Sequence, residues 1–128
     1  MITGIGVDLC SISRIRKIMD RDGIDGPFFR KTFTAAEQKE AESRNDKAAF
    51  YAARFAAKEA VFKALSSSGI KDLDLRTIET LHMADGRPFF RPTDEIQLLL
   101  SSSGVHQVHL SITTEGDFAQ AFVVAEED

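Results

Sequence analysis

The sequence of 128 residues has a hydrophobic fraction of 43%, a charged fraction of 28% and a formal net charge of −4. This length and composition predict one globular domain over residues 1–128 and exclude wholesale disorder. The acidic charge argues against bulk nucleic-acid binding, and no apolar stretch approaches the ~20 residues that span a bilayer. With the single cysteine, Cys10, and no signal-peptide pattern, we expect a cytoplasmic protein without an internal disulfide.

The first predicted element is a strand. Residues 2–9 alternate between apolar side chains on one face and two glycines followed by Asp8 on the other, which is the period of a strand. Glycine on a strand face lets a ligand or another backbone approach closely. Asp8 therefore ends the strand either beside a ligand or as the cap of the following helix, and its position alone favours neither.

Three helices are predicted next. Ser11 or Ser13 is placed to cap the first, which ends near residue 21. A capping box over residues 34–37 opens the second. Asp46 caps the third, an alanine-rich helix that ends near residue 65.

The second half of the chain is dominated by strand patterns. Its predicted elements are a strand over 77–84, a turn over 85–88, a return strand from 89, a helix over 93–100, and strands over 105–114 and 118–126. Early helices and late hairpins predict an α+β domain with an antiparallel sheet and one long central helix.

Glu59 and Lys63 lie one turn apart on the long helix, on a face that Phe55 and Phe62 border. A surface ion pair worth about 0.2–0.5 kcal/mol has the same spacing, and spacing alone favours that interpretation. Considered together with Asp8, the alternative is a Mg²⁺ site, because Mg²⁺ takes one or two carboxylates and completes its shell with waters and phosphates. Such a site, with a lysine beside it, would suit phosphoryl-type transfer.

Two weaker patterns stand apart from this group. Arg14, Lys17 and Arg21 form one basic face of the first helix, and such a face is most simply solvated. His109 alternates with apolar residues on its strand and is expected to face away from the core. Cys10 is expected to be a small packing residue, since no catalytic dyad is apparent near it.

Three motifs carry a resemblance to a known family. GIGVDL from Gly4, RFAAKEAVFKA from Arg54 and HLSIT from His109 resemble the signatures of the holo-[acyl carrier protein] synthases. Weaker family features over residues 33–37 and 85–88 occur in the same order. The resemblance therefore extends over essentially the whole chain.

The resemblance implies a 4′-phosphopantetheinyl transferase-like fold and transfer of 4′-phosphopantetheine from coenzyme A to a serine of apo acyl carrier protein, which supports fatty acid biosynthesis. It implies Mg²⁺ bound by Asp8 and Glu59, with Lys63 on the pyrophosphate. It also implies that Arg54 and His109 bind the nucleotide end of coenzyme A. Glu59, directly or through a metal-bound water, is the expected base, and adenosine 3′,5′-bisphosphate leaves.

The resemblance also bears on assembly and docking. It implies a homotrimer with active sites between subunits, so that His109 reaches the site of a neighbouring subunit. It implies that Arg14, Lys17 and Arg21 dock the acidic carrier protein. Thr114 departs from the family, because many members carry a histidine there. Two rival hypotheses are a carrier-binding module with weak chemistry and an unrelated metal-dependent hydrolase.

Overall fold

The computed structural model describes residues 1–70 and 73–127. The elements in chain order are β1 (Ile2–Ser11), α1 (Ile12–Asp22), α2 (Pro27–Thr32), α3 (Ala35–Glu42), α4 (Lys47–Ser67), a 3₁₀ helix (Leu75–Thr77), β2 (Ile78–His82), β3 (Pro88–Pro92), α5 (Asp94–Ser103), β4 (Val105–Glu115) and β5 (Phe118–Glu127). The predicted strands and helices are all present, with boundaries shifted by a few residues. Helix α2 is not predicted by the sequence pattern, because its six residues are too few to show a helical period.

Two antiparallel sheets form the β part of the fold. The larger sheet has the order β1-β5-β4, and β2 pairs with β3 in a separate hairpin. Asp8 on β1 lies opposite Ala121 on β5, which in turn lies opposite Ile112 on β4. The predicted α+β class is therefore confirmed. No helix of the described residues is long and apolar enough to cross a membrane.

The 21-residue helix α4 packs across one face of the larger sheet. Close approach is possible because β1 carries glycine where it meets the helix. A Cβ atom on Gly6 would lie 1.8 Å from the carbonyl oxygen of Ala60, and one on Gly4 would lie 2.0 Å from that of Ala64. The two glycines thus accommodate another backbone, and Asp8 follows them on the same face of β1.

The opposite face of the larger sheet, which we call the outer sheet face, is apolar and exposed. It carries five large apolar side chains on β1 and β5 that are between 44% and 58% exposed, together with the exposed Gln120; the five are Ile5, Val7, Leu9, Phe118 and Phe122. The apolar side of β1 therefore points away from α4. An exposed apolar surface of this kind marks an interaction site in a folded protein.

A buried ion pair joins α3 to α4. Lys58 Nζ lies 2.8 Å from Glu37 Oε1, with both side chains fully buried, and it also donates to the carbonyl oxygens of Leu75 and Ile78. Glu37 completes the predicted capping box with Thr34. Every charged atom of this pair is thus supplied with partners inside the fold.

Candidate active site

Strand β1 and helix α4 bring Asp8 and Lys63 into contact. Lys63 Nζ donates to Asp8 Oδ1 at 3.0 Å and to the Val7 carbonyl oxygen at 2.9 Å. The lysine therefore directs its ammonium group to a residue 55 positions away in the sequence. The Asp8 side chain is only 17% exposed, so this contact is partly shielded from water.

Glu59 lies in the same cluster and is half-buried. Burial raises the pKa of the Glu59 carboxyl, and the neighbouring Asp8 carboxylate raises that pKa further. Lys63 and Arg14 act in the opposite direction. The charges of Asp8, Lys63 and Arg14 are therefore near enough to act on the Glu59 carboxyl, where β1, α1 and α4 meet.

The alternative role for Asp8, as the cap of α1, is wrong. Ser11 caps this helix by accepting a hydrogen bond from the Arg14 amide at 3.3 Å. Asp117, at the turn before β5, supports the same end by accepting from the Ser13 amide at 2.8 Å. Asp8 is thereby left available to the cluster with Glu59 and Lys63.

The donor set of this cluster fits a hard divalent cation. Burial is the main cause of the raised Glu59 pKa, and repulsion by the Asp8 carboxylate adds to it; a cation between the two carboxylates would offset that repulsion. Among the described residues, no group of three or more His, Cys, Asp or Glu side chains is arranged to hold a metal by itself. A Mg²⁺ ion here would take its remaining ligands from water and phosphate oxygens, as Mg²⁺ commonly does.

Cys10 lies behind this cluster and does not add a nucleophile to it. The thiol is buried, and burial raises the pKa of Cys10 to about 11. A thiol with this pKa stays protonated near neutral pH and reacts slowly. Cys10 is thus a core residue, which agrees with the prediction from the sequence.

Arg54 lies on a different side of α4. Arg54 lies five positions before Glu59 in the sequence, and this spacing places the two side chains about 140° apart around the helix. Its side chain is 1% exposed and borders a cavity of about 390 Å³ that Arg44, Phe50 and His82 also line. Burial lowers the pKa of Arg54 to about 10, although the Glu40 carboxylate opposes this shift.

The structure separates His109 from position 114, where the sequence departs from the family. His109 is on the outer side of β4, where its Nε2 lies 2.6 Å from Glu126 Oε1. Thr114 lines the cavity with Arg54. The departure from the family at position 114 therefore lies at this cavity and not among the ligands proposed for the metal.

Some residues that line or border the cavity carry no sequence signal for a site. Arg44 and His82 line it, and Glu40 contacts both His82 and Arg54. No periodicity or motif marks these residues, because they come from separate elements that meet only in the folded chain.

The predicted basic face of α1 consists of three exposed residues, Arg14, Lys17 and Arg21, which differ in their surroundings. Arg14 is close enough to Glu59 to lower its pKa, so it borders the cluster. Arg21 forms a two-point contact with Asp22, with Nη2 2.8 Å from Oδ2. The charge that this face offers a partner is therefore weaker at Arg21 than the sequence pattern suggests.

Comparison with known proteins gives a consistent result. The profile of the 4′-phosphopantetheinyl transferase superfamily matches residues 4–123. A holo-[acyl-carrier-protein] synthase from Brucella ovis is 38% identical over 130 residues, which cover 98% of this chain and 96% of the relative.

Solved structures extend this result to the fold. A holo-[acyl-carrier-protein] synthase from Neisseria meningitidis superposes with a TM-score of 0.89 at 36% identity, covering 99% of this chain and all of that one. One from Bacillus anthracis, solved in complex with CoA (3′,5′-ADP), superposes with a TM-score of 0.77 at 34% identity, covering 100% of this chain and 99% of that one.

Proposed function

Because this chain belongs to the 4′-phosphopantetheinyl transferase superfamily, we propose that it acts as a Mg²⁺-dependent holo-[acyl-carrier-protein] synthase whose active sites are shared between subunits. The reaction moves 4′-phosphopantetheine from coenzyme A to a serine of the apo acyl carrier protein and releases adenosine 3′,5′-bisphosphate. This identity removes the alternative of an unrelated hydrolase. One observation supports the assignment of the site: Lys63 contacts Asp8, and both charges act on the pKa of Glu59, although the three residues come from two distant motifs.

The role of each residue in the cluster follows from its charge and position. Lys63 neutralises negative charge on the pyrophosphate as the bond to phosphorus breaks, which is the main contribution a protein makes to phosphoryl-type transfer. Without the metal, the raised pKa of Glu59 makes its carboxylate a stronger base than an ordinary glutamate, and a bound cation would reduce this effect. In this proposal Glu59 accepts the proton of the carrier serine, directly or through a metal-bound water.

Mg²⁺ is the cofactor that we propose for this cluster. Asp8 and Glu59 would hold it, and two carboxylates match the number that Mg²⁺ usually takes from a protein. When bound, the ion would supply positive charge to the pyrophosphate and orient it. Asp8 also holds the Lys63 ammonium at 3.0 Å, which keeps the lysine beside the phosphates.

Two features support active sites between subunits of a homotrimer. Arg54 and Glu59 face different sides of α4, so the cavity at Arg54 and the cluster at Glu59 point in different directions. One coenzyme A molecule can contact both most simply when the cavity belongs to one subunit and the cluster to its neighbour. The outer sheet face supplies an exposed apolar surface for assembly, and His109 projects from the same side of the sheet. In this proposal Arg54 and His109 of one subunit bind the nucleotide end of the coenzyme A that is held by its neighbour.

The exposed face of α1 is the proposed docking surface for the carrier protein. Arg14, Lys17 and Arg21 present positive charge to an acidic partner, and Arg14 also borders the catalytic cluster. Charges at the rim of an interface mainly accelerate association and orient the partner. A carrier bound on this face would have its serine directed towards Glu59. We further propose a cytoplasmic location and a role in fatty acid biosynthesis.

Mass spectrometry tests the reaction directly. Incubation of an apo acyl carrier protein with this chain, coenzyme A and Mg²⁺ should add roughly 340 Da, the mass of one phosphopantetheine arm, as expected for this group transfer. A carrier whose acceptor serine is changed to alanine serves as the control. No mass gain, or cleavage of coenzyme A that does not depend on the carrier, would contradict the proposal.

A further inference from the structure

We propose that His82 is a positioning residue that holds the Arg54 guanidinium against the cavity and so enables this cavity to select a phosphate monoester. The inference rests on the proposed function only for the identity of the ligand, the nucleotide end of coenzyme A. The arrangement of the side chains is independent of that function.

His82 contacts three charged residues from other elements. Arg54 Nη2 contacts both ring nitrogens of His82 and lies 3.0 Å from Nε2. Arg44 Nη2 lies 3.2 Å from His82 Nδ1. Glu40 Oε2 accepts a hydrogen bond from the His82 amide at 3.3 Å, which ties the strand β2 to α3. His82 is therefore the residue through which both guanidinium groups are connected.

The contacts define the role of the imidazole as a hydrogen-bond acceptor. Guanidinium groups only donate, so His82 Nδ1, which faces both of them, accepts. Burial lowers the pKa of His82, and the Arg54 charge lowers that pKa further. Glu40 Oε1, 3.4 Å from the same nitrogen, opposes this shift without reversing it, so the ring stays neutral and able to accept. The Phe50 ring lies beside both guanidinium carbons, 5.0 Å from that of Arg44 and 4.8 Å from that of Arg54. These groups restrict the arginines to one arrangement.

The cavity has a donor that the protein leaves unused. Among the described residues, Arg54 Nε is buried without a hydrogen-bond partner. Glu40 offsets part of the positive charge, with Oε1 3.5 Å from Arg54 Nη2. Asp46 also lines the cavity, but its carboxylate is paired with Arg16 at 2.9 Å, so Arg44 and Arg54 leave an excess of positive charge. A buried unsatisfied N–H group is costly, and an oxyanion would satisfy it.

A phosphate monoester is the anion that best fits this excess of charge. It carries close to two negative charges near neutral pH and offers three acceptor oxygens to planar guanidinium donors. The pyrophosphate of coenzyme A is assigned to the cluster of Asp8, Glu59 and Lys63. The remaining phosphate is the 3′-phosphate, which the leaving group adenosine 3′,5′-bisphosphate retains.

Calorimetric binding of adenosine 3′,5′-bisphosphate and of adenosine 5′-monophosphate tests the inference without requiring turnover. We expect the wild-type protein to bind the bisphosphate at least about 10-fold more tightly, the scale of one hydrogen bond to a charged group. His82→Ala should remove most of this preference, because Arg54 then loses its fixed orientation. His82→Asn retains a side-chain acceptor and should restore part of it.

The controls separate positioning from general destabilisation. His106→Ala changes a histidine on β4 that does not line the cavity, and it should retain the wild-type preference. If His82 had only a structural role, His82→Ala would lower the affinities for both nucleotides by the same factor. If His82→Ala does not fold, His82→Gln replaces it. Glutamine places its acceptor differently, so this variant should also lose most of the preference, measured as the ratio of the affinities for the bisphosphate and the monophosphate.

Three results would overturn the inference: a wild-type protein without preference for the bisphosphate, a His82→Ala variant that keeps the preference, or an equal loss for both nucleotides. These outcomes are distinct from a failure of the proposed function. If only the proposed function fails, the wild-type protein will prefer the bisphosphate but will leave the carrier protein unmodified.

Discussion

Lys63 places its ammonium nitrogen 3.0 Å from the Asp8 carboxylate, across 55 residues of sequence, and thereby joins the first motif of the chain to the second. The contact lies beside Glu59, whose pKa is raised by burial and by Asp8. The charges of the proposed active site therefore depend on one another, and changing any of them should alter the behaviour of the rest.

Lys63→Ala should slow transfer by about 10²-fold or more, the scale observed when one electrostatic stabiliser of a transition state is removed. Steady-state kinetics with saturating coenzyme A and carrier protein measure the effect. Lys39→Ala, an exposed lysine in the last turn of α3, is the matched control and should retain turnover. If Lys63→Ala loses thermal stability but keeps its turnover, the lysine is only a surface ion-pair partner.

Glu59→Gln should abolish most transfer and, without metal, should raise the melting temperature near pH 7. A raised carboxyl pKa means that the folded state favours the protonated form, so stability is lost as pH rises through that pKa. Glutamine does not ionise and avoids this loss. Melting curves from pH 4 to pH 8 should therefore converge at the acidic end. Greater stability of the wild-type protein at pH 7 without metal would contradict the prediction.

Mg²⁺ should stabilise the wild-type protein against heat but should have little effect on Asp8→Ala or Glu59→Ala, because each variant lacks one hard oxygen ligand. Both variants should remain folded and lose most of their transfer activity. Differential scanning calorimetry with and without Mg²⁺ provides the comparison. Near-normal activity of either variant in Mg²⁺ would show that the ion is bound elsewhere.

Mixtures of two inactive variants test whether active sites are shared between subunits. Glu59→Ala removes one carboxylate of the catalytic cluster. His109→Ala removes the imidazole that we place in the active site of the neighbouring subunit. After the subunits exchange, some mixed sites should contain both intact residues and recover activity. Light scattering should report trimers. A fully active monomer at micromolar concentration, or no recovery from exchanged trimers, would exclude shared sites.

Reversing the charges of Lys17 and Arg21 should raise the KM for the carrier protein while leaving that for coenzyme A nearly unchanged. Reversing Arg14 should raise the same KM and also slow transfer, because Arg14 acts on Glu59 in the catalytic cluster. Single reversals should have unequal effects, with Arg21 weakest because Asp22 already pairs with it. The effect should shrink with salt, since the Debye length falls from about 10 Å at 0.1 M to about 3 Å at 1 M. Unchanged carrier kinetics at low salt would mean that this face is merely solvated.

The sequence alone predicted much of this molecule. The alternation of β1, the caps of α1, α3 and α4 and the strand pair at the C-terminus depend on neighbouring residues, and all are present. The three motifs indicated the family, and the profile match confirms it. Local patterns of this kind survive folding because caps and periodicity act within a few residues.

The tertiary structure decided what local patterns leave open. Spacing could not show whether Asp8 caps a helix or approaches Glu59, and the packing of glycines on β1 against α4 places it near Glu59. His82 carried no signal in the sequence, since its partners Arg44 and Arg54 lie 38 and 28 residues away. The sequence by itself thus determined the elements, the family and the chemical groups available. Which groups meet depends on contacts between distant segments, and only the folded chain makes those contacts.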